Sequence, residues 1–247
     1  MTSFYLGLAL IMALSINSRF AVVRVLAVLL AAVALGFMAW SIVLANLDGS
    51  FARAPAESVL PWLLNAEAVL ITLAALLLLW AVPRQWRRNG GSIPWRSTRL
   101  AHGQLTRALH WGSATLIIAA FTMGQFIAVL TPDNVVRAEF VATHMAVGGA
   151  IFLLTFARMF ERLVRPAPPN KAEAHIGHFL LYTLLTAICV TGLALAPAPI
   201  DLLGLKLPNL PASAIAAPLH RALTALLALL FLGHVYAALR SIRRMAR

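Results

Sequence analysis

Apolar residues fall along this chain in six long runs divided by polar stretches. The runs are Val25 to Leu47, Leu60 to Val82, Ala108 to Leu130, Phe140 to Phe160, Ile176 to Ala196 and Leu219 to Leu239. Each is about 20 residues long, the length a helix needs to cross a hydrocarbon core of about 30 Å. The pattern predicts an all-α integral membrane protein. A further stretch, Phe4 to Ile16, is apolar but short for a span, and no basic segment leads it as in a secretory signal. It reads either as a short extra span turning at Asn17-Ser18 or as an extension of the first helix. A cleaved signal is the weaker alternative.

The polar stretches alternate in charge. Arg19 and Arg24 precede the first run. Arg84, Arg87, Arg88, Arg96, Arg99 and Arg107 follow the second, Arg158, Arg162 and Arg165 close the fourth, and Arg240, Arg243, Arg244 and Arg247 follow the sixth. The connections 48–58, 131–139 and 197–218 are poor in basic residues. The second of these opens on the turn signal Thr131-Pro132-Asp133-Asn134. Basic connections stay on the cytoplasmic side, so the sequence predicts a cytoplasmic C-terminus.

Composition removes other classes. The chain is 61% hydrophobic, with a mean hydropathy of +0.86, more apolar surface than a soluble domain carries. The net charge of +12 is mostly arginine sorted between apolar runs. It is a topology signal: membrane lipid is an expected partner and nucleic acid is not. Cys189 stands alone inside an apolar run, so neither a disulfide framework nor a thiolate metal site is expected. It reads as a small buried hydrophobe.

Histidine divides the chain. Residues 1–83 contain none, and all seven lie in residues 100–247. The basic segment 84–99, with Gly90-Gly91 and Pro94, links the two parts. The expectation is an N-terminal transmembrane extension (1–83), a basic cytoplasmic linker (84–99) and a four-helix domain (100–247). The extension would hold two transmembrane helices, or three if Phe4 to Ile16 spans.

Four of the histidines match in depth. His110 starts the third run at its basic end, and His144 lies near the far end of the fourth. His220 starts the sixth run at the far end, and His234 lies fourteen residues deeper. Fourteen residues are close to four helical turns, so His220 and His234 share one face about 21 Å apart. Only His110 with His234, and His144 with His220, pair at one depth. Ionisable groups inside a membrane are costly and usually functional. Two imidazoles facing each other across a bundle suit the two axial positions of a b-type haem. The expectation is two haem b groups, with iron ligated by His110, His144, His220 and His234.

Other residues are secondary candidates. Gly148 and Gly149 follow His144 by about one turn, where a flat ring could approach the backbone. Arg158 lies fourteen residues after His144 and is read either as a propionate partner or as an ordinary basic-end arginine. His175 and His178 start the fifth run beside Glu173. They are read as helix-end polar groups, as propionate or quinone contacts, or as a replacement ligand at the inner haem. Glu67, next to Asn65, is a carboxylate inside the second run, costly there unless paired or protonated. Glu161 reads as part of an ion-pair cluster with Arg158, Arg162 and Arg165. His102 lies outside the runs and is given no role.

Several motifs resemble one family. Leu105-Thr106-Arg107-Ala108-Leu109-His110-Trp111 resembles the opening of the bacterial cytochrome b561 family. Thr143-His144-Met145-Ala146-Val147-Gly148-Gly149, running on to Ala157-Arg158 and Arg165-Pro166-Ala167-Pro168-Pro169, is similar to its second helix region. Ala174-His175-Ile176-Gly177-His178, then Leu181-Tyr182 and Thr191-Gly192-Leu193, looks like its third helix. His220 and His234 match its last. The resemblance covers about 100–247; Arg-x-x-His-Trp alone is shared with the cytochrome b subunits of hydrogenases and formate dehydrogenases. It implies a four-helix bundle with two b haems on the same four histidines. It also implies a multi-pass protein of the bacterial inner membrane that exchanges electrons with a quinone, ubiquinone among them, and with a periplasmic or membrane redox partner. Superoxide oxidation coupled to quinone reduction is one outer reaction the family implies, which leaves open whether this cytochrome is itself an oxidoreductase. The alternative function is a membrane-anchor cytochrome b subunit of a larger respiratory complex. Relatives of this kind begin near Leu105, so residues 1–83 are an addition.

Overall fold

The computed structural model describes residues 2–18, 20–48, 94–99, 102–130, 135–165, 172–202 and 204–241. The second apolar run with Asn65 and Glu67, the linker up to residue 93, the turn 131–134, the Pro-rich stretch 166–169 and the tail from 242 lie outside the described residues. Within them are six helices and one small hairpin. The helices are α1 (Thr2–Ser15), α2 (Ala21–Asp48), α3 (Gln104–Val129), α4 (Val135–Val164), α5 (Ala172–Leu195) and α6 (Ala216–Ser241). Strands β1 (Ile200–Leu202) and β2 (Leu205–Leu207) lie between α5 and α6. The protein is an all-α membrane protein, and α3 to α6 are each long and apolar enough to cross a bilayer.

α2, α4 and α6 outrun their apolar stretches at both ends, whereas α1, α3 and α5 do so only at the start. Hydroxyls inside the spans are satisfied locally. Ser113, Thr115, Thr122 and Thr155 each donate to the carbonyl four residues back, at 2.6 to 3.0 Å. A hydroxyl in hydrocarbon needs a partner, and the preceding turn supplies it without breaking the helix.

Phe4 to Ile16 forms a helix of its own. α1 ends in a turn at Asn17-Ser18, where Asn17 N bonds Leu14 O and Ser18 N bonds Ser15 O. The Asn17 amide then donates to Gln104 O at 2.9 Å, fixing this turn beside the start of α3. At the other end of α1, the hydroxyls of Thr2 and Thr143 are 3.4 Å apart. α1 therefore runs antiparallel to α3, from the far end to the basic end, over about 21 Å. Gly112 allows a close approach, since a Cβ there would lie 3.6 Å from both Ala13 Cβ and Ala9 O. Small residues at such contacts are how membrane helices gain packing energy.

Together α1 and α2 cover one side of α3, and α4 to α6 complete the other. Tyr5, Ala9, Leu35 and Val43 belong to the same buried cluster as Leu116, Val147, Leu184 and Leu227. Among the described spans α3 is thus the most enclosed. Phe156, Phe160, Phe179 and Leu229 face outward on α4 to α6, where lipid tails are their solvent.

The far-end connection 197–218 contains the hairpin. Ile200 pairs with Leu207 and Leu202 with Leu205. Gly204 takes φ +90° in the turn, and its N–H donates to Asp201 Oδ1 at 2.8 Å. Ile200 and Leu207 pack with Met145, Phe152, Leu193 and Ala196. Leu210 N bonds Leu193 O at 3.0 Å, holding the returning chain to the end of α5. Pro218 then sits in the first turn of α6, where its missing N–H costs nothing.

Candidate functional site

Two histidine pairs form, one toward each end of the bundle. At the far end His144 on α4 faces His220 on α6, with ring centroids 6.3 Å apart. Both Nδ1 atoms are engaged by neighbouring helices. His144 Nδ1 is 2.9 Å from Ala120 O on α3. His220 Nδ1 is 3.1 Å from Ile188 O and 3.0 Å from Thr191 Oγ1 on α5. A carbonyl only accepts, so each Nδ1 carries the proton and each Nε2 keeps a free lone pair. That is the tautomer a metal ligand needs, oriented by a neighbour in the way that holds metal-bound imidazoles elsewhere.

Glycines make room for these rings. A Cβ at Gly124 would lie 3.5 Å from His144 Cε1, and one at Gly192 would lie 3.4 Å from His220 Cε1. The imidazoles therefore stand against bare stretches of α3 and α5. Gly148 has no neighbouring atom within 4 Å of an added Cβ, so its face of α4 is open. Gly149 differs: Leu207 Cδ1 would sit 2.8 Å from its Cβ, so the hairpin already occupies the space.

At the basic end His110 on α3 faces His234 on α6, with centroids 6.1 Å apart. His178 on α5 approaches the same ring, at 5.8 Å from His234. Among the described residues no three His, Cys, Asp or Glu side chains converge on one metal position. His110 and His178 are therefore alternatives opposite His234, not joint ligands. His175 is exposed. Trp111 meets His110 edge-on, 5.5 Å between centroids.

Arg158 lies at this pair. Its Nη2 is 3.2 Å from His110 Nδ1, and its guanidinium is 5.5 Å from the Tyr182 ring centroid. Arginine only donates, so in this arrangement His110 Nδ1 accepts and the ring proton sits on Nε2. Ligation through His110 Nε2 requires Arg158 to release the ring. Glu161 is buried, and its described hydrogen bond is from the Thr106 hydroxyl at 2.6 Å. Thr106 in turn lies 2.6 Å from the Ser97 hydroxyl, tying α4 to the segment before α3. Glu161 thus takes part in a hydroxyl relay that joins α4 to the segment before α3.

The residues fit the expected group. With a metal–imidazole bond of about 2 Å and ring nitrogens about 1 Å from the ring centre, two imidazoles on opposite sides of one metal hold their centroids about 6 Å apart. Both pairs have that separation before any ligand is placed. Nothing in the residue pattern marks the backbone partners Ala120 O and Ile188 O, since any residue type offers a carbonyl. Gly124 was also missed, although it lies fourteen residues after His110 on α3 and so shares its face; that it backs His144 becomes meaningful only after packing.

Comparison with known proteins gives a family. The model of a family described as prokaryotic cytochrome b561 matches residues 101–246. The chain is 26% identical over 114 residues to "Cytochrome b561 homolog 2" of Escherichia coli (strain K12), covering 42% of this chain and 61% of that relative. The match therefore spans about three fifths of the relative's length. No solved structure matches.

Proposed function

The chain belongs to the prokaryotic cytochrome b561 family, and on that premise we propose that it is a di-haem carrier moving electrons across the bacterial inner membrane to or from a quinone. One observation carries the reading. Two histidine pairs, with centroids 6.3 and 6.1 Å apart, lie on facing helices at opposite ends of one bundle. Held there, b haem would supply a one-electron iron couple suited to electron transfer. His144 and His220 would hold the far group, and His110 and His234 the other.

The chain's own residues define the rest. Ala120 O, Ile188 O and Thr191 fix the far rings so that Nε2 faces inward, which raises ligand basicity and limits reorganisation. Gly148 leaves an open face beside His144. Arg158 is placed to exchange its bond with His110 for a propionate carboxylate, a stronger, charge-assisted partner. His178, beside His234, would contact a propionate or a quinone near the basic end. The Arg distribution supports a cytoplasmic C-terminus, which makes the His110–His234 site the cytoplasmic one.

Pyridine haemochrome titration of the purified chain tests the reading, paired with reduction by a short-chain quinol. Two haems per chain, both reduced by quinol, is the expected result. One haem or none would overturn it. Full haem content without quinol reduction would leave the carrier and remove the quinone.

A further inference from the structure

The hairpin between α5 and α6 reaches further into the span than a surface connection needs to. Both of its arms leave from Leu193, since Ala196 N and Leu210 N each bond Leu193 O, at 3.4 and 3.0 Å. Both then arrive at Gly149 on α4, where an added Cβ would lie 2.8 Å from Leu207 Cδ1 and 3.7 Å from Ile200 Cγ2. This part of α4 is level with Cys189 on α5, whose Sγ is 3.9 Å from Gly148 O. Leu193 is four residues nearer the far end of α5 than Cys189, about 6 Å along the axis. The strands therefore run inward along α4, with the turn at Gly204 as their deepest point. Gly149 is ten residues past Glu139 and thirteen before Arg162, about 15 and 20 Å from these charged ends of the span. A hydrocarbon core is about 30 Å thick, so the hairpin descends toward its middle.

Ile200 and Leu207 are buried against the helices, while Asp201 and Lys206, partners across the ladder, are exposed. A carboxylate and an ammonium turned toward lipid tails are costly. The open edges of a two-stranded sheet are equally unsuited to lipid, and such backbone occurs at this depth only where protein or water covers it. We propose that the outer face of the hairpin is covered by a second copy of this chain, about a two-fold axis along the membrane normal. The charge pattern selects that occupant. Because the strands run along the span, Asp201 and Lys206 lie side by side at one depth. The two-fold rotation then sets Asp201 of one copy against Lys206 of the partner subunit, and the reverse, so the face is its own complement. Leu205, 52% exposed, adds apolar area beside the charges. This inference goes beyond the electron-carrier reading and does not rest on it.

The test uses the full chain in phosphatidylcholine vesicles, with a fluorophore fused after Arg247 and photobleaching steps counted as the protein is diluted in lipid. Two-step particles that give way to one-step particles on dilution are expected. Lys206→Glu puts two acids on each hairpin and Asp201→Lys puts two bases there. Each should weaken dimerisation by about tenfold or more, because like charges then face each other. Mixing the two variants in two colours should restore the dimer as a heterodimer. Asp201→Asn keeps an acceptor for the Gly204 N–H, so it removes the charge and spares the turn; about threefold weaker dimerisation is expected. One-step particles at every dilution of the unaltered chain overturn the proposal, since water or a different protein then covers the face. So does a Lys206→Glu chain that dimerises as the unaltered one does. Loss of the dimer in both charge variants with no recovery on mixing also overturns it. If Asp201→Lys does not fold, Asp201→Asn replaces it in the mixture, and failure to pair with Lys206→Glu more tightly than Lys206→Glu pairs with itself has the same meaning.

Discussion

At the scale of the residue, the pairing of four imidazoles makes a sharp prediction. His144→Ala and His220→Ala should each lower haem content from two to one per chain and remove the same spectral component. His110→Ala and His234→Ala should remove the other. Retention of the inner component in His110→Ala, with its loss in His178→Ala, would show that His178 is the ligand facing His234. Arg158→Met should weaken only the inner component, by about 10- to 100-fold in haem retention, the usual size of a lost outer-shell partner. A tighter inner haem in that variant would show that Arg158 merely competes for His110. The four histidines were legible in the sequence because helical rise converts residue number into depth, and depth allowed only two pairings. The approach of His178 to His234 was less legible. It depends on the rotation of α5 about its axis, which an almost uniformly apolar segment leaves unspecified. Arg107 was read with its neighbours as one more basic-end charge. Its burial comes from α1 and α2 folding back over α3, which no local pattern announces.

At the scale of the element, α5 serves as a wall for the far pair. Gly192→Ala should be tolerated, because its Cβ would meet His220 Cε1 at 3.4 Å, ordinary contact. Gly192→Leu has no such space and should displace His220, leaving one haem in the difference spectrum. The hairpin offers a second case. Gly149→Ala places a Cβ 2.8 Å from Leu207 Cδ1, the movable end of a side chain. A cost of about 1 kcal/mol is expected, and Gly149→Val should cost more. Increased proteolysis within 197–215 would report the hairpin leaving α4; an unchanged cleavage pattern in Gly149→Val would show that it is not anchored there. The spans α3 to α6 were readable from apolar length alone. The hairpin was not, although Ile200-Asp201-Leu202 and Leu205-Lys206-Leu207 alternate around a glycine as paired strands do. Three residues per strand is too short for periodicity to stand out from a Pro-rich connection. Whether Phe4 to Ile16 extends α2 or turns back was also open in the sequence, and the tie from Asn17 to Gln104, 87 residues away, decides it.

At the scale of the molecule, α1 and α2 supply packing, and residues 1–83 contain no histidine. A chain starting near Arg96 should still bind two haems, because all four imidazoles and their carbonyl partners remain. It should unfold at lower temperature, since the Gly112 face of α3 loses Ala9 and Ala13. One haem in a correctly inserted truncation would show that the extension completes a site. A reporter fused after Arg247 should be active only in the cytoplasm; periplasmic activity would invert the two ends. The enclosure of α3 has a consequence for how the protein comes into being. Chains are made from the N-terminus onward, so α1 and α2 are in place before α3 emerges. The ridge formed by Ala9 and Ala13 faces lipid until Gly112 arrives to meet it. α3 then docks with one side matched to a surface already built, while His110 still looks into open space. The rotation of this first histidine-bearing helix is set before any other histidine-bearing helix exists, by segments that contribute no histidine at all.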